Sequence, residues 1–398
     1  MKRIENTSGN EVRITFLGDL MCQMQQIWAV EKSGCGYNVV FDKVKELWAE
    51  SDLVVANLET PVEGRSRLAF EEVRFNAPSS FLDAVAKANI GCLTCANNHI
   101  LDRGKNGIDA TLDEVRKRGI LSLGAYKSEE ESKKLSVVEL KGLRFALIAC
   151  TYDMNPGRKA NMLKENELWK VDLLRYPEAW PGNWVYAIRR TLTGLIPYRI
   201  KTWIKMRRNG GRLPSAQPQS DCARADSFNS PEHKPFFENV LNKIREAKKQ
   251  ADVVIVFPHI GGQYNSTPGP WQILATDAFI KEGADLVITN HAHTPLKVER
   301  RNETLVAHAL GNFCFTPGVG FYNDSCQADY SIALNCVFDA KSKKMVRKSF
   351  VVLKTVTRKD GVSVVVLPEA KDANDVEAVI HRVSGHKKAF GAGQEIEL

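Results

Sequence analysis

Short apolar runs alternate with helix-period segments through most of this 398-residue chain. That alternation narrows the fold more than any other feature. Strand-like runs are read at 12–17, 53–56, 90–96, 121–124 and 143–149, with helices expected at 39–50, 80–88 and 107–118. In the last of these, Ile108, Leu112 and Val115 recur at the spacing of one helix face, and Gly119 follows as a stop. Further on come a strand at 253–257, a helix at 271–282, and strands at 286–289 and 304–310. Runs 331–338 and 348–355 read as paired strands, and 362–367 adds one more. Strand and helix in turn mean an α/β core, and the later strand-only run predicts a second, more antiparallel sheet packed on the first. Residues from about 154 to 235 interrupt the pattern with Trp169, Trp180, Trp184, Trp203 and a Pro/Ser/Gln stretch, and read as an insertion.

Composition limits the function classes. Hydrophobic residues make up 43% and charged residues 26%, enough for a sizeable core and too apolar for wholesale disorder. No run of 18 apolar residues occurs, so no transmembrane helix is expected. After Lys2 and Arg3 the N-terminus turns polar, so no signal peptide is expected either. Nine cysteines sit at irregular spacings, several inside apolar runs (Cys92, Cys95, Cys150, Cys336). They read as reduced core residues of a cytoplasmic protein, and the lone C-x-x-C of Cys92 and Cys95 reads as packing. The formal net charge is +8, and its location says more than its size. Between Glu178 and Asp221 no acidic residue occurs, while Arg189, Arg190, Arg199, Lys201, Lys205, Arg207, Arg208 and Arg212 do. The excess is therefore local, which predicts one anionic contact and no specific nucleic-acid surface.

The chemistry lies where strands end. The first strand runs into Gly18-Asp19, the second into Asn57-Leu58-Glu59, and the third into Asn97-Asn98-His99 with Asp102 close behind. The later strands run into His259 and into His291-Ala292-His293. Open α/β sheets bind ligands at the carboxyl ends of their strands. One Asp after a strand is ordinarily a turn residue, and one His is ordinarily structural. Five successive strand ends bearing oxygen and nitrogen donors are what a dinuclear metal site requires.

The ordered series Gly18-Asp19, Asn57-Leu58-Glu59, Asn97-Asn98-His99 with Asp102 and Gly104, His259 with Gly261 and Tyr264, Gly283-Ala284-Asp285, His291-x-His293 and Leu310-Gly311-Asn312-Phe313 resembles the CapA family. These are bacterial poly-γ-glutamate capsule synthesis proteins related to calcineurin-like metallophosphoesterases. The resemblance implies a four-layer α-β-β-α sandwich with two mixed sheets. It covers roughly 11–355 apart from the basic, partly helical insertion at about 154–235, and a strand and helix of 356–398 are expected to pack on the same domain. It implies one or two divalent metal ions (Mn, Fe, Zn or Ca). Asp19, Asn98, His259, His291 and His293 take the ligand positions, and Glu59 or Asn57 the place of the bridging carboxylate. His99 takes the acid/base position with Asp102 orienting it. Asn57, Asn97, Tyr264 and Asn312 stand around them. Met21 replaces the histidine that ordinary metallophosphoesterases carry two residues after the first Asp, so one half-site is expected to lack a nitrogen ligand. Ile260, Gln263 and Asn290 also depart from the pattern of relatives.

Two chemistries fit such a site. One is hydrolysis of a phosphoester or amide, and the other is acid/base proton transfer at an α-carbon of a peptide-like substrate. A role as a non-catalytic accessory of polymer synthesis or export is the alternative of a different class. The family link makes an anionic polymer such as poly-γ-glutamate, a peptide or a phosphoester the expected partner. In the basic segment, Arg189, Arg190 and Lys205 interleave with Trp184, Ile188 and Trp203. This reads as a lid over an anionic chain, as a surface hairpin, or as a peripheral membrane contact through 184–212.

Overall fold

The computed structural model describes residues 9–63, 74–155, 162–177, 227–317 and 326–398, apart from 388, 390 and 392, together with isolated positions 200, 204 and 207. Its strands are β1 (Glu11–Leu20), β2 (Leu53–Leu58), β3 (Cys92–Thr94), β4 (Leu121–Leu123), β5 (Ser136–Leu140), β6 (Leu143–Thr151), β7 (Val253–His259) and β8 (Leu286–Ile288). They continue with β9 (Val298–Arg301), β10 (Thr304–Ala307), β11 (Asn312–Cys314), β12 (Tyr330–Asp339), β13 (Lys344–Thr357), β14 (Ser363–Val366) and β15 (Ile396–Glu397).

One sheet has the order β14-β13-β12-β1-β2-β3-β4, with β11 beside β1 and β15 beside β13. Strands β1 to β4 run parallel, while β12, β13 and β14 are antiparallel. The other sheet has the order β5-β6-β7-β8-β10-β9, parallel inside with antiparallel edges. The late strands thus do not build the second sheet expected of them. β12 pairs antiparallel with β1 and is buried on both faces, which a strand achieves only inside a sheet. The middle of the chain builds the second sheet instead.

Period-two alternation sets the layers. Phe145, Leu147 and Ala149 of β6 and Val253, Ile255 and Phe257 of β7 face the first sheet. Phe16 meets Phe257 at 5.9 Å between ring centroids, and Phe145 meets Phe338 at 5.1 Å. The residues between them, Ala146, Ile148, Val254 and Val256, face outward onto helices Lys234–Gln250 and Pro270–Lys281. Helices Ser79–Lys87 and Gly104–Arg116 link β2, β3 and β4 and bury Phe81, Leu82, Ile108, Leu112 and Val115. The result is the four-layer α/β sandwich. In place of the helix expected at 39–50 the chain makes two 3₁₀ turns, Tyr37–Val40 and Lys45–Trp48. Val40, Phe41, Val44 and Trp48 are buried as the helical period requires. The bonds from Phe41, Val44 and Leu47 close on the third residue back, and the Trp48 indole is drawn to the Ala88 carbonyl at 2.7 Å. Among the described residues no helix is long and apolar enough to cross a membrane.

Two glycines set the edge that matters. A Cβ at Gly18 would stand 1.9 Å from the Gly311 carbonyl oxygen. Gly311 itself has φ +82° and lies under the Tyr330 carbonyl. This approach lets Asp19 N–H donate to Gly311 O at 3.0 Å and puts Asp19 in register with Asn312. Gly18→Ala is therefore expected to cost about 1–3 kcal/mol of stability, as overpacking does, measured as a lowered denaturant midpoint.

Candidate metal centre

The parallel strands of both sheets end on one side of the molecule, and their last residues meet there. Asp19 closes β1, Asn57 lies near the end of β2 with Glu59 just beyond, and Asn97, Asn98 and His99 follow β3. His259 closes β7, His291 and His293 follow β8, and Asn312 opens β11. Asp19, Asn57, Glu59, Asn97, Asn98, His99, Asp102, His259, His291, His293 and Asn312 are all buried.

Two trios have metal-ligand spacing. In Asp19, Glu59 and His259, and again in Glu59, His291 and His293, one donor atom per residue lies within 4.8 Å of the others. Glu59 belongs to both. Neither of its oxygens accepts a hydrogen bond among the described residues, and Asp19 Oδ2 is likewise unbonded. Asn57, the other candidate for the bridging place, has its amide engaged. Its Nδ2 donates to Asp19 Oδ1 at 2.8 Å, and its Oδ1 accepts from Thr94 at 3.0 Å and Asn97 at 3.2 Å. His259 Nε2 faces Asn98 Oδ1 at 2.8 Å, His291 Nδ1 at 3.1 Å and Glu59 Oε1 at 3.5 Å. One ring nitrogen carries one hydrogen at most, so lone pairs are left facing each other. A shared cation satisfies such an arrangement, and the residues fit a divalent metal.

The charges agree. Burial pushes the Asp19 carboxyl up, and the Glu59 charge adds to this. Burial works the same way on Glu59, but His293, His259 and His99 outweigh it and hold that carboxyl well below the usual range. Burial opposes protonation of His293, yet Glu59 and Asp19 push it up to about 9. Burial and its two histidine neighbours hold His291 well below the ordinary imidazole range. The carboxylates that draw a proton to His293 would draw a cation.

His99 stands beside the trios with Nε2 4.0 Å from Glu59 Oε1. Its Nδ1 lies 2.7 Å from Asp102 Oδ2, which also accepts the Phe75 backbone N–H at 2.8 Å. Burial lowers the affinity of His99 for a proton, but Asp102 overrides it and the net direction is up. His291 and His293 adopt φ 102° and φ 57°, and Tyr264, whose ring lies 5.6 Å from His293, adopts φ 58°. Left-handed backbone is costly for such residues and gathers at functional sites.

Three residues at the site were not foreseen from the sequence. Asn155 N–H donates to Asn98 O at 2.7 Å, its Oδ1 accepts from Asn98 Nδ2 at 3.3 Å, and its Nδ2 lies 3.3 Å from His99. Phe75 lays its ring 4.3 Å from His99, and Tyr152 sits 5.0 Å from His291. No spacing signal marks any of them. Met21 packs with Phe75 and Phe315, so a thioether in an apolar wall stands where a nitrogen donor was expected to be missing. Ile260 turns away into the outer core of the second sheet. Arg189, Arg190 and Lys205 lie outside the described residues, as does most of 184–212.

Because Glu59 serves both trios, Glu59→Gln is expected to abolish binding of divalent metal. His293→Ala, touching one trio, is expected to weaken it about 10–100-fold. Elemental analysis and metal titration of the purified variants check both, and an unchanged metal content in Glu59→Gln would count against the shared site.

Residues 13–317 match the family model for the bacterial capsule synthesis protein PGA_cap. The PGA biosynthesis protein CapA of Bacillus subtilis (strain 168) is 24% identical over 336 residues, covering 84% of this chain and 71% of that protein. The capsule biosynthesis protein CapA of Bacillus anthracis is 22% identical over 337 residues, covering 83% of this chain and 66% of that protein. Among solved structures, a phosphatase from Mycoplasma pneumoniae aligns over 86% of this chain and 93% of its own at 11% identity, with a TM-score of 0.40. The family match begins inside β1 and ends beyond β11, so it takes in every buried donor from Asp19 to Asn312, and the chain belongs to the PGA_cap family of bacterial capsule synthesis proteins.

Proposed function

We propose that the protein is a metal-dependent enzyme of capsule-type polymer metabolism, acting on a poly-γ-glutamate-like chain, a related peptide or a phosphoester. The observation that carries this is Glu59, a buried carboxylate with neither oxygen hydrogen-bonded among the described residues, shared by two trios of donors beside a His–Asp pair. Asp19, Glu59, Asn98, His259, His291 and His293 would hold one or two ions. When bound, a divalent ion supplies Lewis acidity toward a phosphoryl or carbonyl oxygen.

The chain's own residues do the rest. Asp102 accepts the Nδ1 hydrogen of His99 and so leaves Nε2, on the Glu59 side, as the atom that exchanges a proton with substrate. Phe75 covers one face of that ring and limits its rotation. In hydrolysis His99 Nε2 protonates the leaving nitrogen or oxygen, and in an epimerase-type reaction it would take or return an α-proton. The eight basic residues between 178 and 221 support an anionic substrate, with Arg189, Arg190 and Lys205 as its proposed contacts. The name of the Bacillus subtilis relative, which refers to PGA biosynthesis, supports the same class.

The test uses purified full-length protein supplied with Mn or Zn, with poly-γ-glutamate, γ-glutamyl peptides and an aryl phosphodiester offered in turn. His99→Ala is expected to lower turnover by about 10²–10⁴-fold while leaving metal content unchanged. If metal-loaded wild type acts on none of these, or His99→Ala keeps full turnover, the enzymatic reading fails and an accessory role in synthesis or export takes its place.

A further inference from the structure

The strained loop that carries His291 and His293 is held from outside by one arginine. Helix Ala373–Ser384 lies beyond residues 13–317, the span the family model matches. From its last turn Arg382 reaches two segments at once. Nη1 donates to Thr294 Oγ1 at 2.8 Å, to Pro295 O at 3.4 Å and to Cys326 O at 3.0 Å, and Nη2 donates to Gln327 Oε1. Thr294 Oγ1 in turn donates to Cys326 O at 2.6 Å, closing the two segments on each other. All four acceptors are uncharged. Partly burying a guanidinium against neutral acceptors costs desolvation, and the return is geometry, because its planar fork can hold several acceptors at once.

That geometry sits one residue from the candidate centre. His293 precedes Thr294, adopts φ 57°, and places Nδ1 3.4 Å from Asp19 Oδ2 and 2.9 Å from Asn312 Oδ1. Asn312 Nδ2 donates to His293 O at 3.1 Å and to Ala328 O at 3.0 Å, so it bridges the same two segments from the inner side. Left-handed residues persist only where their surroundings over-determine them. Asn312 supplies the inner restraint and Arg382 the outer one.

We propose that Arg382 is a positioning residue for the His291-Ala292-His293 loop, fixing His293 for the metal half-site it would share with Glu59. The metal part of this inference rests on the metal-centre reading given above, whereas the loop restraint does not. The experiment therefore has two arms, run on full-length wild type, Arg382→Gln and Arg382→Lys. In the first, amide hydrogen exchange is followed in metal-free protein. Arg382→Gln is expected to speed exchange over 291–297 by about tenfold or more, with β7 and β8 unchanged, and Lys is expected to restore part of the protection. In the second, Mn or Zn titration is expected to show metal affinity about 10–100-fold weaker in Arg382→Gln. Unchanged exchange over 291–297, or faster exchange spread evenly over helix Ala373–Ser384 and β13, would overturn the proposal. So would a metal affinity equal to that of wild type in a protein that binds metal. If wild type binds none, the metal-centre reading fails and the exchange arm alone decides the restraint.

Discussion

A carboxylate that makes no hydrogen bond is among the costliest groups a protein can bury. Among the described residues Glu59 is fully buried with both oxygens in that state, and Asp19 beside it has one. The rest of the architecture follows from placing them there. β1 and β2 bring the two carboxylates to the edge of the first sheet, and β7 and β8 bring three imidazoles to the facing edge of the second. The inner faces of the two sheets pack through Phe16, Phe257, Phe145 and Phe338, so the edges cannot drift apart without opening the core. The electrostatic debt of the carboxylates is thus met across the interface between sheets, and the site exists only when both have folded.

The sandwich separates its tasks. The parallel half of the first sheet and the parallel centre of the second end in donors. The antiparallel flank of β12, β13 and β14 ends in none of them, yet β12 is buried on both faces beside β1. Its contribution is mechanical. Tyr330 O lies over Gly311, Gly311 lies against Gly18, and Gly18 precedes Asp19. A stack of close backbone contacts therefore connects the middle of the flank to the first carboxylate.

The sequence carried the strand ends well, because each donor follows an apolar run whose length and β-branched content mark it as a strand. It carried the sheet assignment poorly. Nothing in 331–338 says which strand it pairs with, since an evenly apolar run fits the centre of either sheet, and only the β1 pairing resolves it. The 39–50 segment shows the same limit locally, because Val40, Val44 and Trp48 are buried at helical spacing that does not specify α over 3₁₀ geometry. Helix Lys234–Gln250, with Phe237, Val240, Leu241, Ile244 and Ala247 buried at helical spacing, was readable but hidden by its nearness to the insertion. In the site, titratable donors announced themselves. Asn155, Phe75 and Arg382 did not, because their roles come from contacts with residues 20 or more positions away in the chain.

His291 and His293 occupy backbone that suits glycine better than histidine. Non-glycine residues held in such regions cost of order 1–3 kcal/mol each. Glycine there would relieve the backbone, but at 293 it would also remove the imidazole that faces Asp19 and Glu59, so strain and charge compensation are tied to the same residue. Backbone relief and charge compensation at 293 therefore cannot be selected separately, and a lineage evolved for heat resistance alone would not shed this histidine without leaving the buried carboxylates unopposed.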